Sequence, residues 1–263
     1  MRTIAVVNQK GGVAKTSTVI NVAAILAKDY KKRVLVIDAD SQHNSTDFLG
    51  GDAEKTNLAD LLRDPHADGG DAAWALQAAN FPGIELIAGS DALMDLDLTS
   101  AKSPDVNVAI LRLLREEIES WGKDGPAPFD VCLIDCPPAF NAASAAGLLM
   151  ADEVLIPIKL DRFSVSGMAN VMRQIANARQ VHPALHVLGV LPVLWKDTEE
   201  TREWEQTFRD SALRVFPHIR QSDKVDTATR KYRPLVVCSP TSGACVDYRR
   251  FVHELMKGAV DNG

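Results

Sequence analysis

Asn8-Gln9-Lys10-Gly11-Gly12-Val13-Ala14-Lys15-Thr16-Ser17 decides how the rest of the chain is read. It follows a short apolar run at 4–7 and leads into a helical pattern over 17–28. Strand, glycine turn and helix N-terminus in succession aim several backbone N–H groups at one point, which makes an anion nest. Lys15 adds a point charge suited to β- and γ-phosphates, and the Thr16 hydroxyl suits a magnesium ion. The general expression GxxxxGK[ST] fails, because its glycines would fall on Gln9 and Ala14. What matches is K-G-G-x-x-K-[ST], with a further lysine at Lys10. If position 14 takes a positive φ, Ala14 is strained; if it lies in the first helical turn, alanine costs nothing. The bland alternative, a glycine turn with solvated lysines, does not account for the ordered strand, loop, Lys-Thr and helix.

Outward from this loop, short apolar runs rich in β-branched residues recur at 4–7, 34–37, 84–88, 131–134, 154–158 and 187–193. Nearly unbroken runs of this kind suit strands covered on both faces. Helical patterns lie between and after them, over 17–28, 57–63, 106–121, 142–150, 165–180 and 200–215. The alternation predicts an α/β fold with a doubly wound, mainly parallel sheet flanked by helices. Turn residues mark loops at 64–71 and 122–128, and neither reads as a linker. The 263 residues are therefore expected to form one domain, 1–263. An apolar fraction of 46% excludes a disordered or collagen-like chain. No stretch approaches the roughly 18–20 apolar residues of a membrane span. The four cysteines, Cys132, Cys136, Cys238 and Cys245, read as free thiols of a reduced cytoplasmic protein.

Two further strands end in acid. Residues 33–40, Arg-Val-Leu-Val-Ile-Asp-Ala-Asp, place Asp38 and Asp40 one residue apart where the chain turns. Residues 129–138, Phe-Asp-Val-Cys-Leu-Ile-Asp-Cys-Pro-Pro, carry four apolar residues into Asp135, a Walker B pattern that suits magnesium. In register with the phosphate loop, these resemble the ParA/MinD family of deviant-Walker P-loop ATPases, closest to its Soj-like partition branch. The resemblance runs from about residue 2 to about residue 255, and the segment 52–105 carries little of it. It implies ATP and Mg²⁺ as cofactors, held by Lys10, Gly11, Gly12, Val13, Ala14, Lys15, Thr16 and Ser17. It implies Thr16, Asp38 and Asp135 around the metal, with Asp38 in the outer shell. It assigns Lys10, Lys15 and Asp40 to catalysis, Asp40 orienting the attacking water and Lys10 reaching the nucleotide of a second subunit. Ser41-Gln42-His43-Asn44-Ser45-Thr46 resembles the family's first switch, with Ser41 for its proline and His43 for its glycine.

The attachments to this core separate the branches. In MinD-like relatives a terminal amphipathic helix lies on the membrane; here Phe251 and Leu255 fall at helical spacing on a face expected to pack on the sheet. Cys132 and Cys136 do not match the cluster cysteines of iron-protein relatives. The tyrosines are scattered, unlike those of the tyrosine-kinase relatives. A metabolic P-loop ligase is a further alternative, opposed by Lys10, Gln42 and Asn44. A net charge of −6 argues against nucleic acid only until the chain is divided. Residues 201–250 hold ten basic and six acidic side chains, +4 net, whereas the first 200 carry −9. That asymmetry suits phosphate contacts from the C-terminal part. The candidates for DNA contact are Arg202, Arg220, Lys224, Arg230, Lys231 and Arg233. The partners expected are a second copy of the chain with ATP, nonspecific double-stranded DNA and a ParB-like centromere-binding protein. No membrane partner is expected, and the setting would be cytoplasmic and nucleoid-associated.

Overall fold

A computed structural model describes residues 1–64, 72–96, 104–120 and 128–257. Its strands are β1 (Arg2–Val6), β2 (Val34–Asp38), β3 (Leu76–Ala78), β4 (Ile84–Ile87), β5 (Val131–Asp135), β6 (Glu153–Lys159) and β7 (His186–Val193). They form one seven-stranded sheet in the order β3-β4-β2-β5-β1-β6-β7. Every pairing is parallel except that of β3 with β4 at the edge. The chain winds from β1 out to β2 and β4 on one side, and later out to β6 and β7 on the other. A ligand crevice belongs at the carboxyl ends of strands where such winding reverses. There the phosphate loop leaves β1, beside the acid-tipped end of β5, with that of β2 next in the sheet.

The helices are α1 (Lys15–Tyr30), α2 (Asn44–Leu49), α3 (Leu58–Arg63), α4 (Pro104–Ser120), α5 (Ala142–Met150), α6 (Arg162–Val181), α7 (Glu199–Arg209), α8 (Asp223–Arg230), α9 (Leu235–Cys238) and α10 (Gly243–Lys257). They cover both faces of the sheet. One apolar cluster joins Ala5, Leu35, Ile37 and Ile134 to α3, α4, α5 and α6. The other joins Ile4, Val6, Val36 and Leu133 to α1, α8, α9 and α10. β2 and β5 are buried along their whole length, which is why they read as unbroken apolar runs. On α10, Phe251, Val252 and Leu255 are buried in the second cluster, so this face is spent in the core. No helix among the described residues is long and apolar enough to cross a membrane.

Three expectations change. The helix expected over 200–215 stops at Arg209. Beyond it the chain joins the sheet edge: Phe216 N–H donates to Val190 O at 2.9 Å, and Val190 N–H donates to Arg214 O at 2.8 Å. Edge pairing satisfies these backbone groups where a longer helix would leave the edge of β7 open. β3 is an added strand, only three residues long, without the β-branched signature that marks the others. α2 is also new; it starts inside the switch-like segment, outside the helical patterns given above. Of the expected loops, 65–71 and 122–127 lie outside the described residues, as does Trp121.

Candidate active site

The phosphate loop is built by its backbone. Ala14 takes φ 54 and ψ 34, a left-handed conformation, immediately before α1. Ala14 therefore stands where glycine is favoured, and not inside the first helical turn. His43 repeats the pattern at φ 39 before α2. Ala14, where the general expression has glycine, and His43, where the resembled switch has glycine, are thus both left-handed residues. Gly12 is at φ 72, and no described atom lies within 4 Å of where a Cβ on Gly11 or Gly12 would sit. The loop is thus a bare cradle at the N-terminus of a sixteen-residue helix, which suits an anion. Lys15 is buried beside it, its Nζ donating to Lys10 O at 3.3 Å. Burial lowers the pKa of Lys15, while Asp135, Cys136 and Asp40 oppose that shift.

The two acid-tipped strands meet in register, Asp38 opposite Asp135. Both carboxyls are buried. Burial raises Asp38 above the carboxylate range, and the charge of Asp135 raises it further. Burial likewise raises Asp135, with Ser45, Thr16 and Lys15 opposing and Asp40 reinforcing. Asp38 is committed to the loop that follows it. Its Oδ2 accepts from Thr46 N–H and Thr46 Oγ1, each at 2.8 Å, and its Oδ1 accepts from Asp40 N–H at 3.2 Å. Gly89 closes this loop from behind: a Cβ there would stand 2.8 Å from Asp38 O and 2.9 Å from Asp40 O. Asp135 Oδ2 accepts from Ser45 Oγ at 2.6 Å. Its Oδ1 is buried without a well-formed hydrogen bond among the described residues, although the Thr16 side chain is near enough to stabilise its charge. A buried, half-satisfied carboxylate beside a threonine hydroxyl is the donor set a magnesium ion takes. Thr16, Asp135 and the cradle fit a magnesium-bound nucleotide; Asp38 sits one layer behind them.

Asp40 is nearly buried, and its Oδ1 accepts from Gln42 N–H at 3.0 Å. Lys10 is held within its own chain. Its Nζ lies 2.9 and 2.8 Å from the two carboxylate oxygens of Asp161 and 3.0 Å from Ser164 Oγ. Partial burial pushes Asp161 up, but the hydrogen bonds from Lys10 and Ser164 and the charge of Lys10 hold it at about 2. Asp161 is also the N-cap of α6. Val13 is buried under the loop, and Ser17 lines a cleft on its flank.

The basic candidates divide into two groups. Arg220 forms a two-pronged pair with buried Asp247, at 2.6 and 2.9 Å, and Arg202 pairs with Asp197 at 2.6 Å. Lys224, Arg230, Lys231 and Arg233 are exposed and have no ion-pair partner among the described residues. Reading the sequence did not single out Ser45, Thr46, Gly89, Asp161 or Ser164 as site residues. Ser45 and Thr46 lie in the recognised switch segment. Asp161 and Ser164 reach Lys10 from about 150 positions away, with no local pattern to mark them.

A family model described as an AAA domain matches residues 1–187. The chromosome partitioning protein ParA of Caulobacter vibrioides is 32% identical over 200 residues, covering 74% of this chain and 70% of that protein. The chromosome-partitioning ATPase Soj of Thermus thermophilus is 29% identical over 262 residues, covering 97% and 96%. Among solved structures, cobyrinic acid a,c-diamide synthase from Mycobacterium smegmatis, with bound ATP analog and magnesium, superposes with a TM-score of 0.80. It is 26% identical, and the match covers 100% of this chain and 97% of that one. A phosphate cradle led by Lys10, two carboxylate-tipped strands and relatives of this kind place the chain in the ParA/Soj family of P-loop ATPases, with ATP and magnesium as cofactors.

Proposed function

We propose that this ATPase partitions DNA. Two copies close over ATP into a homodimer, and the dimer binds double-stranded DNA without sequence preference. A ParB-like partner stimulates slow hydrolysis and release, so that a plasmid, mobile element or chromosome is segregated. One ATPase domain, 1–263, does this in the cytoplasm on the nucleoid. The observation that carries the DNA reading is the exposed set Lys224, Arg230, Lys231 and Arg233 on and just after α8, in a chain that is otherwise acidic. Phosphodiester binding requires a local basic surface rather than a basic protein. Arg202 and Arg220 contribute less in this reading, because carboxylates already hold them.

In the nucleotide site, the backbone N–H groups of 11–16 hold the β- and γ-phosphates, with Lys15 neutralising their charge. Thr16 and Asp135 would hold the magnesium ion, which would supply positive charge against the phosphates. Asp38 positions the loop 40–46 through Thr46. Asp40 orients a water molecule in line with the γ-phosphorus. The water oxygen bonds to that phosphorus as the bond to the β–γ bridging oxygen breaks; ADP and phosphate leave, and the proton passes to solvent. Lys10 leaves Asp161 and adds its charge to the nucleotide of the second subunit. Positioning and charge stabilisation carry most of the rate in such chemistry.

Fluorescence anisotropy of a random-sequence duplex, with and without ATP–Mg²⁺, tests the reading. Affinity should rise with ATP and fall steeply between about 50 and 200 mM salt. The triple change Arg230→Glu, Lys231→Glu, Arg233→Glu should weaken binding and flatten the salt slope by about 0.9 for each phosphate no longer neutralised. Absence of ATP-dependent binding by the unmodified chain at low salt sinks the DNA reading.

A further inference from the structure

Helix α8 ends on a tyrosine held in a left-handed conformation. Tyr232 N–H donates to Thr229 O, and Arg233 N–H donates to Ala228 O, both at 3.1 Å, which closes the helix in a Schellman turn. Glycine is the usual residue at the left-handed position of such a turn, yet Tyr232 occupies it at φ 48. Burial does not compensate, since the side chain is among the exposed large hydrophobic groups at 53%. A bulky residue kept in a disfavoured conformation at the surface points to use. Its ring meets Phe48, with centroids 5.9 Å apart and planes tilted by 52°.

Phe48 belongs to α2, whose first turn supplies Ser45 to Asp135 and Thr46 to Asp38. Ser45 and Phe48 stand three residues apart, on neighbouring positions of one helix face. A cleft of about 240 Å³ runs between these elements, lined among others by Thr16, Ser17, Asn44, Phe48, Thr229 and Tyr232. One end of this chain of contacts is therefore the carboxylate that suits magnesium. The other end is flanked by the exposed cations Arg230, Lys231 and Arg233.

We propose that the Phe48–Tyr232 contact is the link by which the nucleotide site sets the direction of the Arg230, Lys231 and Arg233 cluster toward a phosphodiester backbone. A cation drawn to Asp135 competes with the Ser45 hydroxyl for its charge. The first turn of α2 then shifts, and Phe48 moves with it as part of a short rigid helix. Tyr232, already off its preferred backbone basin, passes the shift to the residues on either side. The output of the link rests on the DNA reading above; the link itself does not.

Amide hydrogen exchange on the full chain, with and without ATP–Mg²⁺, reads the link directly. Exchange of the 228–233 amides should change by about fivefold or more in the unmodified protein. Phe48→Leu keeps the apolar bulk under α2, and Tyr232→Gly keeps the left-handed turn. Both should bind a fluorescent ATP analogue normally yet lose the exchange response. Both should also lose about fivefold or more of the ATP stimulation of duplex binding, with sedimentation showing unchanged dimerisation. No response at 228–233 in the unmodified protein overturns the link, and so does a full response in both variants. An intact exchange response without duplex affinity overturns the DNA reading alone and leaves the link standing.

Discussion

Asp161→Asn should tighten ATP-dependent self-association. Lys10 Nζ lies 2.8 and 2.9 Å from the Asp161 carboxylate oxygens, and the two side chains are 35% and 23% exposed. A partly exposed pair of this kind contributes about 1 kcal/mol once solvent screening is counted. If Lys10 must leave Asp161 to reach the second subunit's nucleotide, each dimer releases two such pairs. Removing them favours the dimer by about 2 kcal/mol, or roughly thirtyfold in its dissociation constant. Asparagine is itself a favoured N-cap, and its oxygen can keep the bond from Ser164 N–H, now 2.9 Å. The fold of α6 should therefore survive, which a circular dichroism melt checks. Sedimentation velocity with Mg²⁺ and a slowly hydrolysed ATP analogue measures the association, with Lys10→Ala as the non-dimerising control. Association equal to or weaker than that of the unmodified chain, with Lys10→Ala monomeric, refutes the idea that Asp161 competes for Lys10. A normal dimer from Lys10→Ala removes the trans role altogether.

Three other outcomes follow from the geometry. Asp40→Ala should slow hydrolysis by about a hundredfold while ATP binding persists, so that an ATP-bound dimer accumulates; unchanged phosphate release removes Asp40 from the chemistry. Ala14→Gly should raise stability by about 0.5 kcal/mol, because relief of the left-handed alanine outweighs the added freedom of glycine in the unfolded chain. Calorimetry should then show Tm up by about 1–2 °C, and Ala14→Val should lower it; the reverse order means that position 14 is not left-handed in solution. Burial pushes the Tyr248 hydroxyl up to about 12, with Thr18 Oγ1 opposing from 3.4 Å. Because the folded-state pKa is raised, the stability this group contributes is fully present below its ordinary value of about 10 and is lost as pH rises through about 12. Ultraviolet titration should show a late tyrosinate that appears together with unfolding and is absent in Tyr248→Phe; ionisation of this group at pH 10 in the folded protein contradicts the buried placement.

Local chemistry made much of this molecule legible. The runs at 34–37 and 131–134 are apolar throughout because β2 and β5 are covered on both faces, and they are strands with those acids at their ends. The phosphate loop is legible for the same reason: strand, glycines, Lys15 and Thr16 act through groups adjacent in the chain. Elements defined by pairing rather than by their own composition were harder to see. β3 exists because β4 offers it an edge, and residues 210–216 leave the helical pattern to bond to Val190. Periodicity cannot register an edge supplied by a strand elsewhere.

The charges divide along the same line. Counting them located a basic C-terminal segment, but which of its cations are free depended on carboxylates distant in sequence. Asp247 takes Arg220 across 27 positions, whereas Lys224, Arg230, Lys231 and Arg233 remain without such partners among the described residues. The left-handed backbone of Ala14, His43 and Tyr232 is a property of how helices meet their loops, and composition left the first of these undecided. Residue type and spacing were enough to point to ATP and magnesium, because a helix N-terminus and its flanking side chains are local objects. Where Lys10 rests, what orders the loop after Asp38, and which aromatic ring Tyr232 touches were settled by folding, because each requires two segments that only the packed sheet brings together.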